Sequence, residues 1–162
     1  MQTSLGFRLS LFLFSVAIAT VGGSFLWNLR AAPAGEPQPR LRTATIVLND
    51  VRITAEVATS DDERRRGLSY RTSLGQNEGM LFLFPVVARQ TMWMQGMNFP
   101  LDILFISNGR VVDYEENVPL ASGISGRVPE ASSIEEVDMV LELPAGRAKE
   151  LGVGIRTPVQ IR

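Results

Sequence analysis

The chain has 162 residues, enough for one domain and an appendage, with 16 basic and 17 acidic side chains, no histidine and no cysteine. Those two absences exclude disulfides, thiol nucleophiles, a Ser-His-Asp triad and any His- or Cys-liganded metal. From residue 42 onward 13 basic residues meet 16 acidic ones, a net charge of −3, so there is no basic excess for a phosphate backbone and nucleic acid is not an expected partner.

No charge interrupts the stretch between Arg8 and Arg30. As a helix, Leu9 to Leu29 would span about 31 Å, close to the roughly 30 Å hydrocarbon core of a bilayer. An uncleaved anchor, a cleaved signal peptide and a buried helix compete for it. A helix apolar on all sides lacks the polar face of a surface helix. Ala17-Ile18-Ala19 and Ala32-Pro33-Ala34 are both A-x-A patterns, but the first leaves a short apolar run and the second leaves Arg30 just before the cut. The length favours an uncleaved anchor over residues 1–30, so the membrane is an expected partner. The flanking arginines are nearly balanced. The short N-terminal flank favours export, which makes the expected location the inner membrane with the domain outside it, or the periplasm or medium if the segment is cleaved. Residues 31–40, AAPAGEPQPR, read as an extended proline-rich linker. One domain is expected from residue 41 to 162.

Within it, Thr43–Leu48 and Val51–Ala58 are alternating and β-branched, and Asn49-Asp50 between them predicts a tight hairpin. Ser60 to Glu63 forms a capping box for a short helix through Arg66, with Gly67 as its stop. Residues 69–78 read as a polar loop. Met80–Phe84 is a buried strand that Pro85 should end. Thr91–Met94 is a short strand. Pro100–Ser107 is a buried strand leading through Asn108-Gly109, the strongest hairpin signal, into Arg110–Glu116. Asn117 to Glu135 reads as a long loop. Val137–Leu143 is a strand, Arg147–Leu151 a short helix stopped by Gly152, and Thr157–Arg162 a last strand. The fold class is therefore mainly β: a compact β-sandwich or barrel-like domain with one or two short helices, preceded by a hydrophobic N-terminal helix.

Several blocks occur in a characteristic order: ERRRGLSYRTSL, EGMLFLF, WMQGMNFPLDILFI, GRVVDYEENVP and VLELPAGRAKELGV. Together they resemble the domain-of-unknown-function family 192 of bacteria and archaea. The resemblance covers most of residues 43–162. It implies a compact β-sandwich or barrel-like fold, often exported behind a signal segment, and no established catalytic residue or ligand. The chain departs from the family pattern at Ser69, often methionine, and at Gln95-Gly96-Met97, often a Lys-Asn-Thr run. Arg156-Thr157-Pro158 replaces a glycine-aspartate turn.

The candidate ligand-binding residues are Arg64, Arg71, Trp93, Asp102, Glu116 and Asn117. Asp102 interrupts an apolar strand on the side of Leu104 and Ile106, so its carboxylate must be paired or hydrogen-bonded. Arg64 and Arg71 are its expected arginine partners, and backbone N–H groups the alternative. Arg64, Arg65 and Arg66 fit a solvated helix end, whereas Arg71, alone in a loop beside Tyr70, suits the grip of a carboxylate or phosphate. Trp93 among Met92, Met94 and Met97 reads first as core, with a sugar or peptide platform as the rival. Glu115 and Glu116 point to opposite strand faces unless a bulge intervenes. Asn117 is placed to order the following loop. No calcium loop, phosphate-binding glycine loop or nucleophile elbow appears, so no catalytic residue, metal or cofactor is assigned. The expected function is a binding or accessory module for a small polar or glycan-like ligand or an envelope protein. The rivals are a hydrolase using Asp102 with a glutamate, and a purely structural anchored domain.

Overall fold

The computed structural model describes residues 35–121 and 127–162. The expected membrane segment lies outside the described residues. Among those described, no helix is long and apolar enough to cross a membrane.

Among the described residues, nine strands and two short helices follow one another: β1 (Thr43–Leu48), β2 (Val51–Ala58), α1 (Asp61–Arg66), β3 (Glu78–Ala88), β4 (Thr91–Trp93), β5 (Leu101–Ser107), β6 (Arg110–Val118), β7 (Glu130–Ser132), β8 (Val137–Pro144), α2 (Arg147–Glu150) and β9 (Gln160–Ile161). Seven form one sheet in the order β6-β5-β8-β3-β2-β1-β9, and β4 pairs with β7 in a separate ribbon. β2 and β3 run parallel, joined by the α1 crossover, while the other pairs in the sheet are antiparallel. Both hairpins form where the turn residues tolerate positive φ: Asn49 and Asp50 at 44° and 66°, Asn108 and Gly109 at 51° and 69°.

The sheet curls, and residues after α2 tie its two ends together. Arg110 bridges Pro158, and the Val111 and Val159 N–H groups bond the Thr157 and Gly109 carbonyls, at the β6 end. Ile161 then pairs with Ile46, and Arg162 exchanges two backbone bonds with Thr45, at the β1 end. The last strand is therefore shorter than expected because the segment divides its hydrogen bonds between two partners. A half-barrel closed in this way replaces the sandwich alternative.

The sheet has two buried faces. Leu81, Leu141 and Leu104 lie side by side across three strands and point into the curl, with Ile46, Ile53 and Val159. The adjacent row, Met80, Glu142 and Ile103, points to the other face, as do Phe82, Val140 and Phe105. That face is covered by Leu68 after α1, Met94 after β4 and Ala131 of β7. Close packing sets one glycine: a Cβ on Gly79 would stand 2.8 Å from the Glu142 carbonyl oxygen.

Two expected boundaries differ. Pro85 does not end β3; it falls within the register shift between Leu83 and Ala88, where the missing N–H costs no ladder bond. The stretch from Asn117 to Glu135 is not all loop, since β7 lies within it and pairs with β4. The predicted linker also reaches the domain: Gln38 is buried, and its Nε2 donates to the Gly67 carbonyl at 2.7 Å, where α1 ends.

Candidate functional site

Asp102 has no exposure and sits on the inner face of β5, one strand pair from β6 and one from β8. Its carboxylate meets no arginine. Oδ1 accepts from the Asn117 N–H at 2.9 Å and the Gly146 N–H at 3.0 Å, and Oδ2 from the Ala148 N–H at 2.7 Å. Gly146 is the N-cap of α2 and has no side chain to satisfy that helix end, so Asp102 does so from another strand. Asn117 lies at positive φ where β6 carries an extra residue between its pairings with Leu101 and Ile103. It orders the chain through its backbone N–H. Glu116, beside it, is exposed.

Both arginines expected beside Asp102 are engaged elsewhere. Arg71, 7% exposed, makes a two-pronged pair with Glu56, Nη1 to Oε1 at 2.8 Å and Nη2 to Oε2 at 2.9 Å. The Leu41 N–H and Arg40 complete the shell of Glu56 at 2.8 Å each. Burial pushes the Glu56 carboxyl up, but the Leu41 N–H and the two guanidiniums outweigh it and hold it below its usual range. Arg71 therefore grips a carboxylate, as a lone loop arginine suggests, but one from the same chain. Arg71→Met strands a buried carboxylate that Arg40 and Leu41 still partly satisfy. The expected cost is about 2–3 kcal/mol in urea unfolding, under the full range for breaking a buried pair. An unchanged midpoint would refute that role.

Arg64 donates to the carbonyls of Thr59 and Leu83, pairs with Asp61, and lies over the Phe84 ring with its centre 5.5 Å from the centroid. It forms one wall of a cleft of about 310 Å³ between α1, β3 and β4. Trp93 forms part of the opposite wall and is 48% exposed, which corrects its assignment to the core. In the β4 ribbon, side chains alternate: Met94 is buried and Trp93 points away from it. Arg66 also lines the cleft, half-buried, and makes no side-chain hydrogen bond or ion pair among the described residues.

Glu142 of β8 forms the floor of this cleft and was missed by the sequence reading. It is 4% exposed, and its carboxyl has no hydrogen-bond or ion-pair partner among the described residues. Met80 and Ile103 flank it on the neighbouring strands, with Phe82 on the same wall. Desolvation without compensation pushes its pKa up to about 8. At neutral pH it is a protonated acid, a donor beside an acceptor, in an otherwise apolar pit. Its signal in the sequence is that of Asp102, a carboxylate between apolar residues in a strand.

The candidates thus divide. The cleft brings Arg64 and Trp93 together; Asp102 with Asn117, the Arg71–Glu56 pair, and exposed Glu116 line no part of it. Among the described residues no cluster of three or more carboxylates could hold a metal ion.

Two solved structures resemble the chain. A candidate transcription regulator from Sinorhizobium meliloti 1021 is 30% identical over 76% of this chain and 97% of its own, with a TM-score of 0.68. A protein of unknown function from Novosphingobium aromaticivorans DSM 12444 is 30% identical over 80% and 93%, with a TM-score of 0.63. No curated protein matches the chain. The model of the family DUF192, described as "Uncharacterized ACR", matches residues 44–161. The chain belongs to that family of uncharacterised proteins, the domain-of-unknown-function family 192.

Proposed function

We propose that the domain is a binding module for a small ligand, carried outside the inner membrane by the segment at residues 9–29, and that the ligand enters the cleft between α1 and β4. The observation that carries this reading is Glu142: a carboxyl group buried without a partner among the described residues, at the floor of a cleft, costs stability, and a ligand that hydrogen-bonds it recovers that cost. The cleft's volume of about 310 Å³ and its aromatic walls fit a drug-sized or smaller molecule. Asp102 has both oxygens occupied by backbone donors, which leaves the hydrolase reading without its principal acid. The net −3 charge from residue 42 onward supports a role without nucleic acid.

The test is a thermal-shift screen of a small-molecule library on the full chain and on its Glu142→Leu variant. Compounds that raise the melting temperature of the parent and not of the variant are expected, because binding to the native state alone stabilises it. A library in which every stabilising compound acts equally on both proteins would remove the cleft from consideration.

A further inference from the structure

We propose that the ligand of this cleft is a small planar organic anion. Its ring lies against Trp93 and Phe84, a neutral donor–acceptor group such as a primary amide reaches Glu142, and its anionic end stays at the mouth beside Arg66. This rests on the cleft being a ligand site and adds the chemistry of what fills it.

Three features select that chemistry. The first is the floor. Glu142 is buried among Phe82, Met80 and Ile103 and makes no bond to any other described residue, so among these its two oxygens face the cleft alone. A neutral acid presents an O–H next to a C=O, and the complement of that pair is an acceptor next to a donor. A primary amide or a lactam edge has this arrangement; an alkyl group leaves the floor unsatisfied, as it is without ligand. The second feature is the walls. Phe84 and Trp93 line the cleft from two strands, with fully buried Phe82 behind them, and such aromatic walls favour a flat ligand. Exposed Trp93 has apolar area to cover there.

The third is the charge at the mouth. Of the cationic groups there, Arg64 is spent on Asp61 and two carbonyls, and Arg65 on Asp62. Arg66 keeps its donors free among the described residues, so the mouth carries an unpaired positive charge. This field repels cations and leaves a two-pronged donor for a carboxylate or phosphate. The charged groups lining the cleft with Glu142 are Asp61, Arg64, Arg65 and Arg66, all from α1; β3 and β4 bring only Phe82, Phe84, Thr91, Met92 and Trp93, and Asp138, on the same face of β8, lies outside the cleft. Ionisation of Glu142 removes the inner donor, so affinity falls as the pH rises through the range where it deprotonates.

The full chain has two tryptophans, so Trp27→Phe leaves Trp93 as the sole tryptophan, excited selectively over the two tyrosines, at the cleft itself. Four probes divide the proposal: 4-carbamoylbenzoate, 4-methylbenzoate without the inner amide, benzamide without the anion, and 4-(aminomethyl)benzamide with the charge reversed. At pH 7 the first should quench Trp93 with an affinity at least about tenfold above each of the others, the worth of one hydrogen bond or ion pair. Glu142→Gln keeps a donor beside an acceptor and cannot ionise, so it should retain binding and hold it to pH 9, where the parent weakens about tenfold or more. Arg66→Met should reduce 4-carbamoylbenzoate to the affinity of benzamide. Equal or tighter binding of benzamide or the ammonium compound overturns the anion. Unchanged affinity in Glu142→Leu, which replaces the acid by an apolar group suited to the pit, overturns the floor contact. Quenching by none of the four overturns this ligand class. The cleft still stands as a binding site if library compounds stabilise the parent and not Glu142→Leu.

Discussion

Asp102→Ala is expected to lower the stability of the folded domain by about 3–5 kcal/mol, the range for removing one side of a buried charged contact. Three backbone N–H groups, those of Asn117, Gly146 and Ala148, lose the carboxylate that accepts from them together. Each buried donor left alone costs about 1–3 kcal/mol, and water reaching the hole recovers part of the sum. Asp102→Asn separates charge from geometry. Its amide oxygen can keep the two bonds now made by Oδ1, but its NH₂ must face the Ala148 N–H, donor against donor. The asparagine variant should therefore fall between parent and alanine. Urea unfolding of all three proteins measures the order. Equal midpoints for parent and alanine would show that these bonds are not what secures the bulge of β6 and the start of α2.

The second large effect is on pH dependence. The folded pKa of Glu142, pushed up to about 8 by desolvation, lies above its ordinary value of 4.5. Below 4.5 the carboxyl is protonated in both states and contributes no penalty. Between 4.5 and 8 the unfolded chain ionises and the folded one does not, so the native state loses about 1.4 kcal/mol per pH unit. Above 8 the loss is complete, at about 5 kcal/mol. Glu142→Gln has no proton to exchange and should flatten this decline, so that near pH 9 it is the more stable protein. Denaturant unfolding at pH 5, 7 and 9 gives the comparison. Parallel pH profiles for parent and variant would mean that Glu142 is solvated in solution.

Most strands, both hairpins and the capping box of α1 were legible because each rests on a local signal: alternation, Asn-Asp and Asn-Gly at positive φ, Ser60 three residues before Glu63; β7, too short to carry such a signal, was not. Asp102 was legible as a buried carboxylate because PLDILFI is apolar on both faces. Its partners were not, since Asn117, Gly146 and Ala148 are brought to it by the pairing of β5 with β6 and β8. Glu142 carries a similar signal but stands in VDMVLEL, where Asp138 shares its face and suggests a solvated side. Only the cover supplied by α1, β4 and the turn after α1 buries that face, and those contacts are long-range. Trp93 shows the converse. A tryptophan among methionines reads as core, yet the period of the β4 ribbon buries Met94 and leaves Trp93 outside.

The closing of the sheet by residues 156–162 has a consequence for the order of synthesis. The segment's partners, β6 and β1, lie about 48 and 115 residues earlier in the chain. Both leave the ribosome before the strand that joins them. Until it arrives, a nascent chain holds β1 and β6 as open edges, and open edges invite pairing with a neighbouring chain. Because the final contacts are this distant in sequence, closure belongs to the slow part of folding.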